Sequence, residues 1–181
     1  MSKDQLITEA LRAWIGRETP LRRLESVTAS DIRRYVDATE DANPLWLDDE
    51  FARSKGYRRR LLPPIMVAWE PFSRWGGTGS VDYDGDDLLK QLPFPANYTD
   101  MRNAGTEIEW LRPVELGEPL RAKTRIADIV ARQGKAGIGI YVTREELILD
   151  AQEKIVLRRH QTTVRLPSAD VVSSDPGQGT S

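Results

Sequence analysis

Leu6, Ala10, Leu11, Trp14 and Ile15 recur at helical spacing with charged residues between them, which predicts an amphipathic N-terminal helix closed by Gly16. A second helix is predicted over residues 28–41, where Ile32, Tyr35, Val36 and Thr39 share one face. Thr28 or Ser30 can cap it, and Asp31 suits its first turn. Asn43-Pro44 is expected to end it, because the residue before a proline is pushed out of the α region. A short helix follows over 48–56. Pro63-Pro64 then leads into the most apolar helical stretch of the chain, IMVAWEPFSRW. Pro64 fits a first-turn position, where its missing N–H is no loss, and Pro71 is expected to kink or end the helix. A helix apolar on most sides has to be covered by strands.

Residues 76–101 are rich in Gly, Pro and Asp and read as one long loop, a length that in a compact domain usually serves function. Beyond it the period changes. Glu107-Ile108-Glu109-Trp110 alternates, residues 112–118 form a turn, and three long strands are predicted over 119–132, 135–149 and 154–166. Gln133-Gly134 and Asp150-Ala151-Gln152 are their turns, so the strands form an antiparallel meander. Residues 168–181 are polar and expected to be disordered. The layout is α+β: an N-terminal helix within 1–19, one domain over 20–167, and a tail.

Composition excludes more than it assigns. The chain has 181 residues, the size of one domain, and no cysteine, so disulfides, thiolate nucleophiles and Cys-ligated metals are excluded. A single histidine, His160, excludes multi-histidine metal sites within one chain, and no metal or redox cofactor is expected. With 26 Lys+Arg against 28 Asp+Glu, the net charge of -2 describes an ordinary surface rather than a nucleic-acid footprint. The first residues lack the apolar core of a signal peptide, and no apolar run is long enough for a membrane span. A cytoplasmic location is the expectation.

The chemistry concentrates in residues 35–66, which contain Asp41-Ala42-Asn43-Pro44-Leu45-Trp46-Leu47-Asp48, then Ala52-Arg53-Ser54-Lys55-Gly56-Tyr57, then Pro63-Pro64-Ile65-Met66. With the downstream run EIEWLRPVELGEPL, this order and spacing resemble the MaoC-like dehydratases of the hot-dog fold, in the FAS1-like or MaoC N-terminal form. The resemblance spans about residues 20–166. It implies a curved antiparallel sheet wrapped around the central helix, and hydration or dehydration of an acyl thioester: a 2-enoyl-CoA or a 3-hydroxyacyl substrate. Such chemistry needs a base for water, an acid for the α-carbon and a donor for the thioester carbonyl.

The resemblance places Asp41 at the family's acid/base aspartate and Asn43 on its turn, as the catalytic candidates. It breaks at the family's histidine, whose position here is Trp46. An indole donates a hydrogen bond but cannot accept a proton. Three readings of the break stay open. The chain is the degenerate half of a hetero-oligomeric hydratase, shaping the acyl pocket while a second MaoC-like chain supplies the Asp/His pair. Or it is a homodimeric hydro-lyase working with Asp41 alone. Or it is a non-catalytic acyl-CoA-binding protein.

Other residues have competing readings. Asp41 can also satisfy loop amides, and Asn43 suits a turn whatever the function. Trp46 can line an acyl tunnel or anchor the core. Arg58, Arg59 and Arg60 can meet carrier phosphates or form a solvated face. The Ile65 and Met66 amides can polarise a carbonyl or bind water. His160 is expected at a surface or sheet edge, unpaired with Asp41. The 76–79 glycines lack a P-loop lysine and suit a flap over the acyl chain. The exposed sheet edge of a single hot-dog domain predicts a dimer, with an acyl-CoA or acyl carrier thioester as small-molecule partner and neither nucleic acid nor membrane.

Overall fold

The alternating apolar positions of the C-terminal third fold into the three long antiparallel strands predicted, except that Gln133 and Gly134, expected as a turn, are the last paired residues of the first of them. In the computed structural model, which describes residues 3–68, 88–135 and 137–168, these are β3 (Arg121–Gly134), β4 (Gly137–Leu149) and β5 (Ile155–Leu166). Two further strands complete the sheet: β1 (Arg22–Arg23) beside β3 and β2 (Asp100–Trp110) beside β5, in the order β1-β3-β4-β5-β2, every pairing antiparallel. β2 is therefore one edge, and most of its residues are exposed. It corrects the expected loop, since the strand begins at Asp100 and a short helix, α7 (Leu88–Gln91), precedes it. The glycine that hid β2 is Gly105, which sits at a register shift against β5. β1 has only two residues and leaves no periodic signal.

The helices follow their caps. The single expected N-terminal helix is two, α1 (Lys3–Leu6) and α2 (Glu9–Arg12), because Thr8 leaves the helix to cap α2 with its side chain. Gly16, in the left-handed region at φ 86, closes that segment, and its N–H donates to the Ile126 carbonyl of β3. α3 (Ala29–Thr39) opens on a Thr28/Asp31 capping box. It stops at Glu40, φ 58, before reaching Asn43-Pro44. That dipeptide starts the next helix instead: Asn43 caps α4 (Pro44–Leu47), and Asp48 caps α5 (Asp49–Ser54). The apolar helix α6 is described over Pro64–Ala68; Pro71, the 76–79 glycines and the tail beyond 168 lie outside the described residues.

Side chains of alternate residues on β3–β5 form one buried face with two apolar clusters. The first joins Ala122, Ile148 and Leu157 of the sheet to Met66, Val67 and Ala68 of α6 and to Trp46. The second joins Ile126, Ile129, Ile140 and Val142 to Leu6, Leu11, Leu88 and Leu89. A polar belt separates them on that face. In it Glu146 of β4 pairs with Arg159 of β5, and Arg144 donates to Gln161. Arg159 also donates to the Ala68 carbonyl at 2.8 Å, and the Trp110 indole donates to the Pro64 carbonyl at 3.0 Å. Both ends of the described α6 are thus tied to the sheet by side chains of β5 and β2.

Asp150 fastens the β4–β5 turn to the 112–118 turn. Its carboxylate accepts from the Gln152 and Lys154 amides, each at 2.9 Å, and from Arg112, which also pairs with Glu118. The Arg112 guanidinium, with those amides, holds the Asp150 carboxyl below its ordinary 3.8. A carboxyl depressed in the fold contributes stability above its ordinary value and loses it as pH falls through the folded one. Thermal melts from about pH 7 down to about pH 3 should therefore show an acid-side decline that Asp150→Asn flattens, with a lower plateau near neutrality.

Candidate functional site

Residues 40–48 are a chain reversal built from caps. Glu40 in the left-handed region turns the backbone out of α3, so that Asp41 stands beyond the helix end. The Asn43 side chain accepts from the Leu45 amide at 3.0 Å, and Pro44 fills the first position of α4, where no N–H is needed. One helical turn later Trp46 points back toward Asp41. Its indole Nε1–H donates to Asp41 Oδ2 at 3.0 Å, a bond that spans five residues. The Asp48 carboxylate then accepts from the Glu50 and Phe51 amides at 2.7 and 3.1 Å and starts α5.

Trp46 is 8% exposed and belongs to the α6 cluster, whereas Asp41 and Asn43 are half-buried at its margin. Trp46 takes the anchoring role, buried in the α6 cluster, and its indole nitrogen faces the Asp41 carboxylate. Asn43 serves as a helix cap, the structural reading. The Leu45 carbonyl accepts from the Leu61 amide at 2.9 Å, which ties this turn to the segment entering α6. At the start of α6 the two amide candidates part. Met66 N–H is taken by the Pro63 carbonyl at 2.9 Å, which corrects its place as a free donor; Ile65 N–H has no acceptor among the described residues.

The three arginines also separate. Arg58 bonds Glu115 through its backbone N–H and its Nε, at 2.9 and 3.1 Å. Arg60 donates its backbone N–H to Asp49 at 2.9 Å, and its Nε stands 3.3 Å from the same carboxylate as an ion pair. The Arg60 amide, with the Arg60 and Arg53 charges behind it, holds the Asp49 carboxyl below its usual 3.8. Arg59 has no such partner among the described residues, and its Nη1 lies close beside Gly117.

His160 is a partly exposed residue of an inner strand rather than of an edge, since β5 lies between β4 and β2. Its neighbour Arg159 reaches α6, so His160 points to the opposite face of the sheet, where Nε2 lies 3.3 Å from Glu145. It stands apart from Asp41, as the spacing indicated. The pattern missed the buried Glu146–Arg159 pair. A signal existed in the charged doublets Glu145-Glu146 and Arg158-Arg159, of which Glu146 stands directly opposite Arg159.

Residues 13–159 match the family described as FAS1-like, dehydratase domain region. The chain is 26% identical over 160 residues to a probable enoyl-CoA hydratase alpha subunit of Thermomonospora curvata; the match takes 86% of this chain and 50% of that one. It thus spans about half that relative's length. Its fold is similar to a chain of the ChsH1-ChsH2 complex from Mycobacterium tuberculosis, with a TM-score of 0.73 and 23% identity over 92% of each chain. It is also similar to a chain of the HadBC (3R-hydroxyacyl-ACP dehydratase) complex of that organism, with a TM-score of 0.56 and 16% identity over 82% of this chain and 96% of that one. The fold is the hot-dog fold. Among the described residues no helix is long and apolar enough to cross a membrane.

If the indole–carboxylate bond holds the turn, Trp46→Phe should cost about 1 kcal/mol and Trp46→Ala about 3–5 kcal/mol, the latter from lost packing as well. A double-mutant cycle of Trp46→Phe with Asp41→Ala, read by denaturant unfolding, should return a coupling of about 1 kcal/mol. Coupling near zero would leave Trp46 acting through packing alone.

Proposed function

From the premise that the chain belongs to the FAS1-like dehydratase family, we propose that it is the non-proton-transferring subunit of a two-chain acyl-thioester hydratase or dehydratase. The observation that carries this reading is the Trp46–Asp41 bond. Hydration of an enoyl thioester requires a group that takes a proton from water. The side chain facing Asp41 is an indole, which has no lone pair to offer and occupies one carboxylate oxygen with a fixed donor. A water held between these two groups would find one acceptor and no second base.

The rest of the site suits a wall of an acyl pocket. Trp46 and Met66 present a buried apolar surface at the start of α6, and the Ile65 amide, without an acceptor among the described residues, offers a donor for a thioester carbonyl. A partner hot-dog chain supplies the Asp/His pair in this reading. β2 supports the association, because it is an eleven-residue edge strand with Met101 and Trp110 exposed and nothing paired along its outer side among the described residues. The two hetero-complexes among its structural relatives support the same arrangement. The acyl carrier in this reading is coenzyme A or acyl carrier protein, and the chain itself needs no metal or redox cofactor.

The test is co-expression with a MaoC-like chain that has the complete pair, followed by native mass measurement and hydration of a short 2-enoyl-CoA. The chain alone should give no turnover, and the hetero-complex should be active. Asp41→Asn should leave the complex within about threefold of wild type, whereas removing the partner's pair should cost about 10²–10⁴-fold. A homodimer that hydrates the substrate unaided, or an Asp41→Asn complex that loses 10²-fold or more, would overturn the proposal.

A further inference from the structure

The sheet has one open edge among the described residues. On the β3 side, residues 16–24 run antiparallel to the strand and take up its outer backbone groups. Gly16 N–H donates to Ile126, Ile126 N–H to Arg17, Thr19 N–H to Thr124, and Leu24 N–H to Leu120. A further strand can therefore be added beside β2, at the opposite edge.

β2 has two unlike faces. Its register sets Glu107 opposite His160 and Glu109 opposite Arg158, so both carboxylates lie with His160 on the outer face. Ile108, opposite Arg159, and Trp110, whose indole reaches Pro64, lie on the α6 side. Glu109 is bound by Arg158 at 2.6 Å. The Glu107 side chain is exposed and forms no ion pair or hydrogen bond among the described residues. The edge is thus apolar toward α6 and carries its unpaired negative charge on the outer side.

Symmetry limits how this edge could pair with a second copy of itself. Two antiparallel copies of one strand related by a two-fold keep their faces on the same sides, so residues of one face meet residues of that face. The register shift between Asn103 and Gly105 leaves 105–110 as the regular stretch beside Trp110. The two registers that pair most of this stretch centre on Glu107 or on Ile108. The first sets Glu107 against its own copy, and the second sets Glu107 against Glu109 twice. A register along all of β2 brings the two bulges together and sets Asp100 against Glu109. It offers Glu107 only Arg102, which is already bound to Asp100 at 2.6 and 3.0 Å. Like charges directly opposite one another destabilise a strand pair.

We infer that the β2 edge is built against self-pairing and accepts an antiparallel strand of a different chain, with apolar side chains toward α6 and Lys or Arg opposite Glu107 and Glu109. On the proposed function, on which the partner's identity rests, that strand belongs to the chain with the Asp/His pair. The outer carboxylates then keep this chain from occupying its own edge and leave it open to the companion.

The full chain and a copy with reversed edge charge test this selection without any turnover measurement. Sedimentation equilibrium of the chain alone should show weak self-association that tightens as salt rises, because opposed carboxylates are screened. Glu107→Lys turns both Glu107–Glu109 oppositions of the Ile108-centred register into attractions and should tighten self-association about tenfold. Glu107→Gln should tighten it less, and Glu9→Lys, an exposed change on α2, should leave it as in the wild type. An isotope-labelled Glu107→Lys/Glu109→Lys copy, mixed with the wild type and read by native mass measurement, should give mixed dimers above the statistical share. Circular dichroism checks that each variant is folded. A wild-type homodimer as tight as that of Glu107→Lys, or mixed dimers at or below the statistical share, would overturn the selection. The hydratase reading keeps its own turnover test and survives either result.

Discussion

Two hydrogen bonds from the sheet to the backbone of α6 set the conditions for everything else in this fold. An apolar helix can lie across a sheet on hydrophobic contact alone, but nothing in such contact fixes its axial position. Here the Trp110 indole holds the Pro64 carbonyl and the Arg159 guanidinium holds the Ala68 carbonyl, so position is fixed by direction-dependent bonds. Arg159 is half-buried there and is paired with the buried Glu146, so the carboxylate and the guanidinium satisfy each other on that face. The polar belt is therefore the fixture that locates the helix. Trp46, packed in the α6 cluster, takes its place from the same fixture, and Asp41 takes its place from Trp46.

The parts of the fold legible in the sequence are those governed by local rules. β3, β4 and β5 announce themselves by alternation, and α3 by its capping residues and its apolar stripe. The elements that escaped are governed by tertiary partners. β1 exists only because β3 lies beside it, and β2 is long but carries a glycine and polar residues at an exposed edge, where no apolar alternation is required. The break between α1 and α2 follows from a threonine hydroxyl competing for backbone amides, a choice the apolar spacing does not record.

For the site, the resemblance located Asp41, Asn43 and Trp46 on one turn, and their geometry bears that grouping out. It did not separate the three arginines, because pairing is a property of neighbours far away in the chain. Glu115, the partner of Arg58, is 57 residues distant. Nor did it tell Ile65 from Met66, since only the bond geometry at Pro63 decides which amide is spent. Family membership and the hot-dog fold stand on the whole chain, whereas on the proposed function it is the side chain opposite Asp41 that governs what this chain contributes.

The indole at position 46 also has a consequence for how an assembled enzyme responds to acidity. An imidazole titrates near neutrality, but an indole does not titrate in the physiological range. The chain's one imidazole, His160, lies on the other side of the sheet, so the turn at Asp41 takes no imidazole from this chain. On the proposed function, an imidazole acting at that turn would have to be contributed by the companion chain.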